Sequence, residues 1–157
     1  MAGAKTLLLG LGNTILCDDA AGIMVAREIG RLLDGGSIDC MEASCAGWRL
    51  VDILSGYEKA VIIDAIVGSG AQPGECCRVI DKCGAARSLR LCSSHGMGMD
   101  EAIALARSSG RPMPEHIAVY AIEVVNPYEF GEAITPEVAV RIPAIARQII
   151  DEEKLLS

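Results

Sequence analysis

Two acidic residues stand side by side, Asp18 and Asp19, in the stretch "GLGNTILCDDAAG", just after a glycine-rich turn off the apolar run Thr6-Leu7-Leu8-Leu9. A third, Asp64, sits inside the aliphatic segment "KAVIIDAIV" (59–67). A carboxylate within such a strand is costly unless it is paired, protonated or bound to a metal. A second residue type comes from "SSHGMGMD", which carries His95, one of only two histidines in the chain. Two carboxylates and one imidazole balance a divalent cation and leave coordination positions open for a substrate. The mixed oxygen and nitrogen set suits zinc, nickel or manganese and does not choose among them.

Singly, each residue has an ordinary explanation. Aspartate is favoured at helix starts, so one of Asp18 and Asp19, taken as Asp18, is expected to serve the helix. Asp64 could be a turn former at a strand end, and His95 a plain loop residue. Rival chemistries are weaker. Gly10 and Gly12 begin a dinucleotide fingerprint, but Ile15 occupies the third glycine position, and two aspartates stand where a pyrophosphate would bind. No G-x-S-x-G or H-E-x-x-H is present. Cys92 is close to His95 but reads as the end of a strand. His116 opens an apolar strand and reads as a rim residue.

The elements that must place these residues alternate. Strands are predicted at 5–9, 37–42, 59–67, 76–80 and 116–124. Helices are predicted at 20–33, with Val25, Ile29, Leu32 and Leu33 on one face, at 47–55, and from Met99 to Arg107. A last helix should start at Thr135-Pro136, with Thr135 as its cap and Pro143 kinking its interior. Alternation of this kind predicts one α/β domain over 1–157 with a mostly parallel sheet. Sites in such sheets lie beyond the carboxyl ends of the strands, where Asp19, Asp64 and His95 all fall.

Composition narrows the class. The net charge of −7 argues against nucleic acid and anionic membrane as partners. No uncharged apolar stretch is long enough to span a bilayer, and the N-terminal apolar run reads as a first strand rather than an export signal. Seven cysteines, an odd number without C-x2-C spacing, predict free thiols packed as small apolar side chains in reducing cytoplasm.

In order along the chain, these segments resemble the hydrogenase maturation endopeptidases, which trim the C-terminal extension of the large subunit of nickel-containing hydrogenases. The family's G-x-G-N then acidic-acidic-x-x-G is matched by Gly10-Leu11-Gly12-Asn13 and Asp18-Asp19-Ala20-Ala21-Gly22. "EASCAGWRL" is similar to its Gly-Thr-x-Gly-x-x-Leu region, with Cys45 where Thr is usual. "VIIDAIVGSGAQPG" and "SSHGMGM" resemble the segments that carry its second carboxylate and its histidine. "EVVNPYEFGEAITPEV" resembles its late signature through Pro127, Gly131, Thr135 and Pro136. Ala20 departs from a common Gly.

The resemblance implies a twisted sheet of about five strands with helices on both faces. It makes Asp19, Asp64 and His95 the metal-contacting and catalytic residues. It also implies that nickel arrives with the substrate, the hydrogenase large-subunit precursor, and that no nucleotide is used. A monomer is the expected state. Two competing readings keep the same three residues: a small-molecule hydrolase with a resident divalent ion, and a non-catalytic nickel-binding chaperone.

Overall fold

The computed structural model describes residues 5–45, 47–79 and 98–156. The chain runs β1 (Thr6–Leu11), a single 3-10 turn (Cys17–Ala20), α1 (Ala21–Leu33), β2 (Ile38–Ala43), α2 (Trp48–Leu54), β3 (Lys59–Ile66), β4 (Cys76–Val79), α3 (Met99–Ser108), β5 (His116–Glu123), α4 (Pro136–Ala139) and α5 (Ile142–Glu153). The strands form one five-stranded sheet in the order β2-β1-β3-β5-β4. All neighbours are parallel except β4, which runs antiparallel along β5.

Strand β3 shows why the sheet must be covered on both faces. Its first residue is half-buried and its other seven are buried, as a continuous apolar run requires. Val61, Ile63 and Ala65 pack with Val25 and Ile29 of α1 and Ile145 and Ile149 of α5. Ala60 and Ile62, of opposite parity, pack with Leu50 and Leu54 of α2 and Ile103 of α3. The result is three layers, α1 and α5 on one face and α2 and α3 on the other, as expected from the sequence. The core is aliphatic apart from Tyr120, which is inaccessible to solvent. Its hydroxyl lies 2.9 Å from Glu152 Oε2 and 2.8 Å from Glu153 Oε1, and Glu153 also pairs with Lys59 and Arg78.

Two local expectations are corrected. Residues 136–153 do not form one kinked helix. One turn of α4 ends before Val140, and Pro143 lies at the start of α5. Proline needs no N–H in the first helical turn, so the chain restarts there instead of bending. The thiols are also less buried than expected: Cys40 and Cys77 are exposed, and Cys17, Cys45 and Cys76 are partly buried. Cys40 lies on β2 and Cys77 on β4, the two edge strands, where layer coverage is incomplete.

Candidate active site

The sheet changes direction between β1 and β3. The chain leaves β1 to build β2 on one side, then returns through α2 to build β3 on the other side. The β1–β3 ladder runs from Thr6↔Lys59 to Gly10↔Ile63 and stops there, one residue before Asp64. Strand β3 continues beside β5 alone as far as Ile66↔Glu123. The two strands part at the topological switch point, the position whose crevice binds ligands in doubly wound sheets.

The two glycines at the end of β1, Gly10 within it and Gly12 just after it, serve close packing rather than a phosphate. A Cβ on Gly10 would lie 2.9 Å from Ala26 Cβ and from Gly22 O. Gly12 has φ +149°, and a Cβ there would come within 2.0 Å of the Asp19 carbonyl oxygen. Only glycine lets the chain turn off β1 tightly enough to fold the 3-10 turn back over its own exit. Gly22 repeats the theme, since a Cβ on it would sit 2.3 Å from Ile63 O and 2.8 Å from Leu11 O. The start of α1 is thereby seated on the ends of β1 and β3. Asp19, three residues before Gly22, and Asp64, next to Ile63, are carried to the same corner.

Asp19 lies in the 3-10 turn and is 8% exposed; Asp64 is fully buried. Asp64 is not at the last residue of its strand but two residues inside it. It shares the parity of Ala60 and Ile62, which face α2 and α3. Its Oδ1 accepts a hydrogen bond from the Ala65 N–H at 2.8 Å. His95 lies outside the described residues, as do Cys83 and Cys92. Among the described residues no three His, Cys, Asp or Glu side chains are grouped to hold a metal. His116 is exposed at the first position of β5, opposite Lys59. It is therefore at the amino edge of the sheet, away from both aspartates.

Asp18 overturns an expectation. It makes no helix cap: neither the 3-10 turn nor α1 has a side-chain cap. Its buried carboxylate instead accepts from the Thr135 N–H at 2.7 Å, the Asn126 N–H at 2.8 Å and the Val125 N–H at 3.1 Å. The Thr135 hydroxyl donates to it as well. Thr135, expected to cap the last helix, has its side chain turned to Asp18. Burial alone would raise the Asp18 pKa. The bonds from the Thr135 hydroxyl and amide, and from the Asn126 and Val125 amides, outweigh it and hold the group below the ordinary carboxylate value.

Sequence reasoning also passed over Glu123. It is 7% exposed at the end of β5 and accepts from the Gly68 N–H (2.9 Å), the Ser69 N–H (3.3 Å) and the Ser69 hydroxyl (2.5 Å). It holds the loop that follows Asp64's strand. No local motif marks such clamps, because their partners are 54 to 117 positions away in the chain.

The hydrogenase maturation protease family model, HycI, matches residues 23–152. The chain belongs to the hydrogenase maturation protease family. It is 24% identical to the hydrogenase 2 maturation protease of Escherichia coli, over 93% of this chain and 88% of that protein. It is 28% identical to the hydrogenase expression/formation protein HupD of Bradyrhizobium diazoefficiens, over 94% and 79%. Its fold matches the hydrogenase maturating endopeptidase HybD of E. coli with a TM-score of 0.77 at 21% identity, covering 96% and 92% of the two chains. A [NiFe] hydrogenase maturation protease HybD from Thermococcus kodakarensis gives 0.65 at 23% identity, covering 95% and 98%. Membership assigns the chain to the peptidases that mature hydrogenases. None of its described helices is long and apolar enough to cross a membrane.

Proposed function

We propose that this protease is an endopeptidase that removes the C-terminal extension of a nickel-hydrogenase large-subunit precursor once nickel is seated in that precursor. In this reading Asp19, Asp64 and His95 contact the substrate's nickel. The observation that carries the proposal is a pair of low-exposure aspartates where β1 and β3 diverge, in a chain of this family. A crevice so acidic has little affinity for a peptide terminus unless a cation lies between them. His95 precedes Met99, the first residue of α3, by four positions. That end of α3 packs in the Asp64 layer, through Met99.

The chemistry assigned to the chain is peptide hydrolysis. A water oxygen bonds to the scissile carbonyl carbon, and one carboxylate accepts the water's proton. The C–N bond breaks and that proton passes to the leaving amine. The substrate's nickel holds the chain end in register and polarises the carbonyl or the water. Metal insertion thereby becomes the condition for cleavage.

The test pairs the purified protein with nickel-free and nickel-loaded precursor and weighs the products by mass spectrometry. A C-terminal peptide should be released from the loaded form alone, and Asp19→Ala, Asp64→Ala and His95→Ala should each abolish release. Equal cleavage of both forms would remove nickel from the mechanism. Binding without cleavage of either would favour a chaperone.

A further inference from the structure

Aromatic side chains are scarce here, and they are not all in the core. The chain has one Phe, one Trp and three Tyr. The single Phe, Phe130, is 84% exposed, and Tyr128, two residues earlier, is 70% exposed. Ile15, whose carbonyl accepts from the Gly131 N–H, and Val125, at the start of the same segment, are each about half exposed. A cluster of this kind marks a contact surface rather than a packing remainder.

The segment that bears the two rings is fastened at both ends. At one end Asp18 N–H donates to Asn126 O at 3.0 Å, and the Asp18 carboxylate takes the Val125 and Asn126 amides. At the other, Cys17 N–H donates to Gly131 O at 2.8 Å and Gly131 N–H to Ile15 O at 2.9 Å. Contact there is close enough that a Cβ on Gly131 would lie 2.8 Å from Cys17 Sγ. Residues 127–130 bridge these anchors, with Pro127 buried beneath and the Asn126 side chain donating to Glu129 at 2.9 Å. The rings are therefore held out on a short, tied stub, so little ordering cost remains when a partner lands on them. The stub is bonded to the turn that contains Asp19, so whatever covers the rings lies beside that residue.

We propose that Tyr128 and Phe130 form the docking arm for the folded body of the large-subunit precursor, engaging an apolar patch bordered by Lys or Arg. This rests on the function proposed above and adds to it where the substrate is held. Charge selects the partner: Glu129 and Glu132 are exposed between and beside the rings, and the chain carries −7. A basic rim around an apolar patch complements them, whereas a second copy of this acidic arm would repel. Exposed, rigidly held aromatics of this kind are the residues that dominate interface energetics.

The experiment compares wild type with Tyr128→Ser/Phe130→Ser, whose changes are solvent-facing and should leave the thermal melt unchanged. Kinetics of precursor cleavage and direct calorimetric binding of nickel-free precursor are both measured. The arm variant should raise KM and Kd by about tenfold or more, with kcat within about twofold. Glu129→Lys/Glu132→Lys should weaken binding and flatten its salt dependence. Unchanged KM and Kd in the arm variant, with wild type cutting normally, would overturn the docking arm and leave the proposed function standing. Arm-dependent binding without cleavage by wild type would uphold the arm and refute the endopeptidase reading. No binding of the precursor by wild type would overturn the arm. So would a wild-type dimer that the variant dissolves.

Discussion

Replacing Asp18 should loosen the late loop more than any other single change near the crevice. Its carboxylate gathers four donors from residues 125, 126 and 135, more than 100 positions away in the chain. A hydrogen bond to a charged group contributes about 1.5–3 kcal/mol, so a plain sum over four would reach about 6–12 kcal/mol. That sum is too large. The carboxylate is inaccessible, but only a single loop covers it, and Val125 is half exposed while Asn126 and Thr135 are partly exposed. Water can reach the three amides once the carboxylate is gone. About 3 kcal/mol is the resulting expectation for Asp18→Ala, a large fraction of a typical domain's stability. Asp18→Asn keeps an oxygen for the three donors on Oδ2 but turns an NH2 toward the Thr135 N–H. It should cost about 2 kcal/mol.

Urea denaturation from pH 7 down to pH 3 supplies the test. The folded pKa of Asp18 is depressed, so its contribution is complete above the unfolded value, about 3.9. It is lost as pH falls through the lower folded value. The stability gap between wild type and Asp18→Asn should be constant from about pH 5 to 7 and close below about pH 4. Other acidic groups titrate alike in both proteins and cancel. A cost under about 1 kcal/mol for Asp18→Ala, or a gap that persists undiminished at pH 3, would refute the clamp.

Two further outcomes are expected. Gly22→Ala drives a Cβ to 2.3 Å from Ile63 O and 2.8 Å from Leu11 O, both backbone atoms that cannot swing away. It should cost about 2 kcal/mol or more and lower Tm by roughly 4–8 °C. Gly30→Ala, in the same helix, meets only Cys40 at 3.4 Å or beyond and should be neutral or slightly stabilising. Equal melts for the two alanine variants would contradict the seating of α1 on the strand ends. Burial first, then the Cys77 and Glu152 charges, push the Cys76 thiol up to about 12. Native protein at pH 8 should therefore leave Cys76 unalkylated by iodoacetamide while denatured protein does not, as peptide mass mapping would show.

Much of the fold is determined locally. The apolar run 59–67 can only be a strand covered on both faces, and the apolar face of 20–33 can only be a helix laid on a sheet. Gly10, Gly12 and Gly22 were visible as a pattern, and the order of strands and helices already required a parallel α/β sheet. Asp64 stood out because a carboxylate inside such a run is costly unless paired, protonated or metal-bound, and Asp19 because a helix start needs only one of two adjacent aspartates. His95 was singled out differently, as one of two histidines, from a glycine-containing segment that lies outside the described residues.

Tertiary structure alone decided what Asp18 does. Asp18 and Asp19 are adjacent and chemically identical, and either could cap a helix. Asp18 is set apart only because residues 125–135, more than 100 positions on, present three amides to it. The same return leaves Thr135 at the N-cap position of α4 but turns its side chain to Asp18. Glu123 becomes a loop anchor through donors 54 and 55 residues away. The return of residues 124–135 also sets Tyr128 and Phe130 on the surface, which no periodicity announced. Periodicity reports which face of an element is dry. It cannot report which distant backbone will arrive to satisfy a particular oxygen, because that partner is chosen only when the layers close.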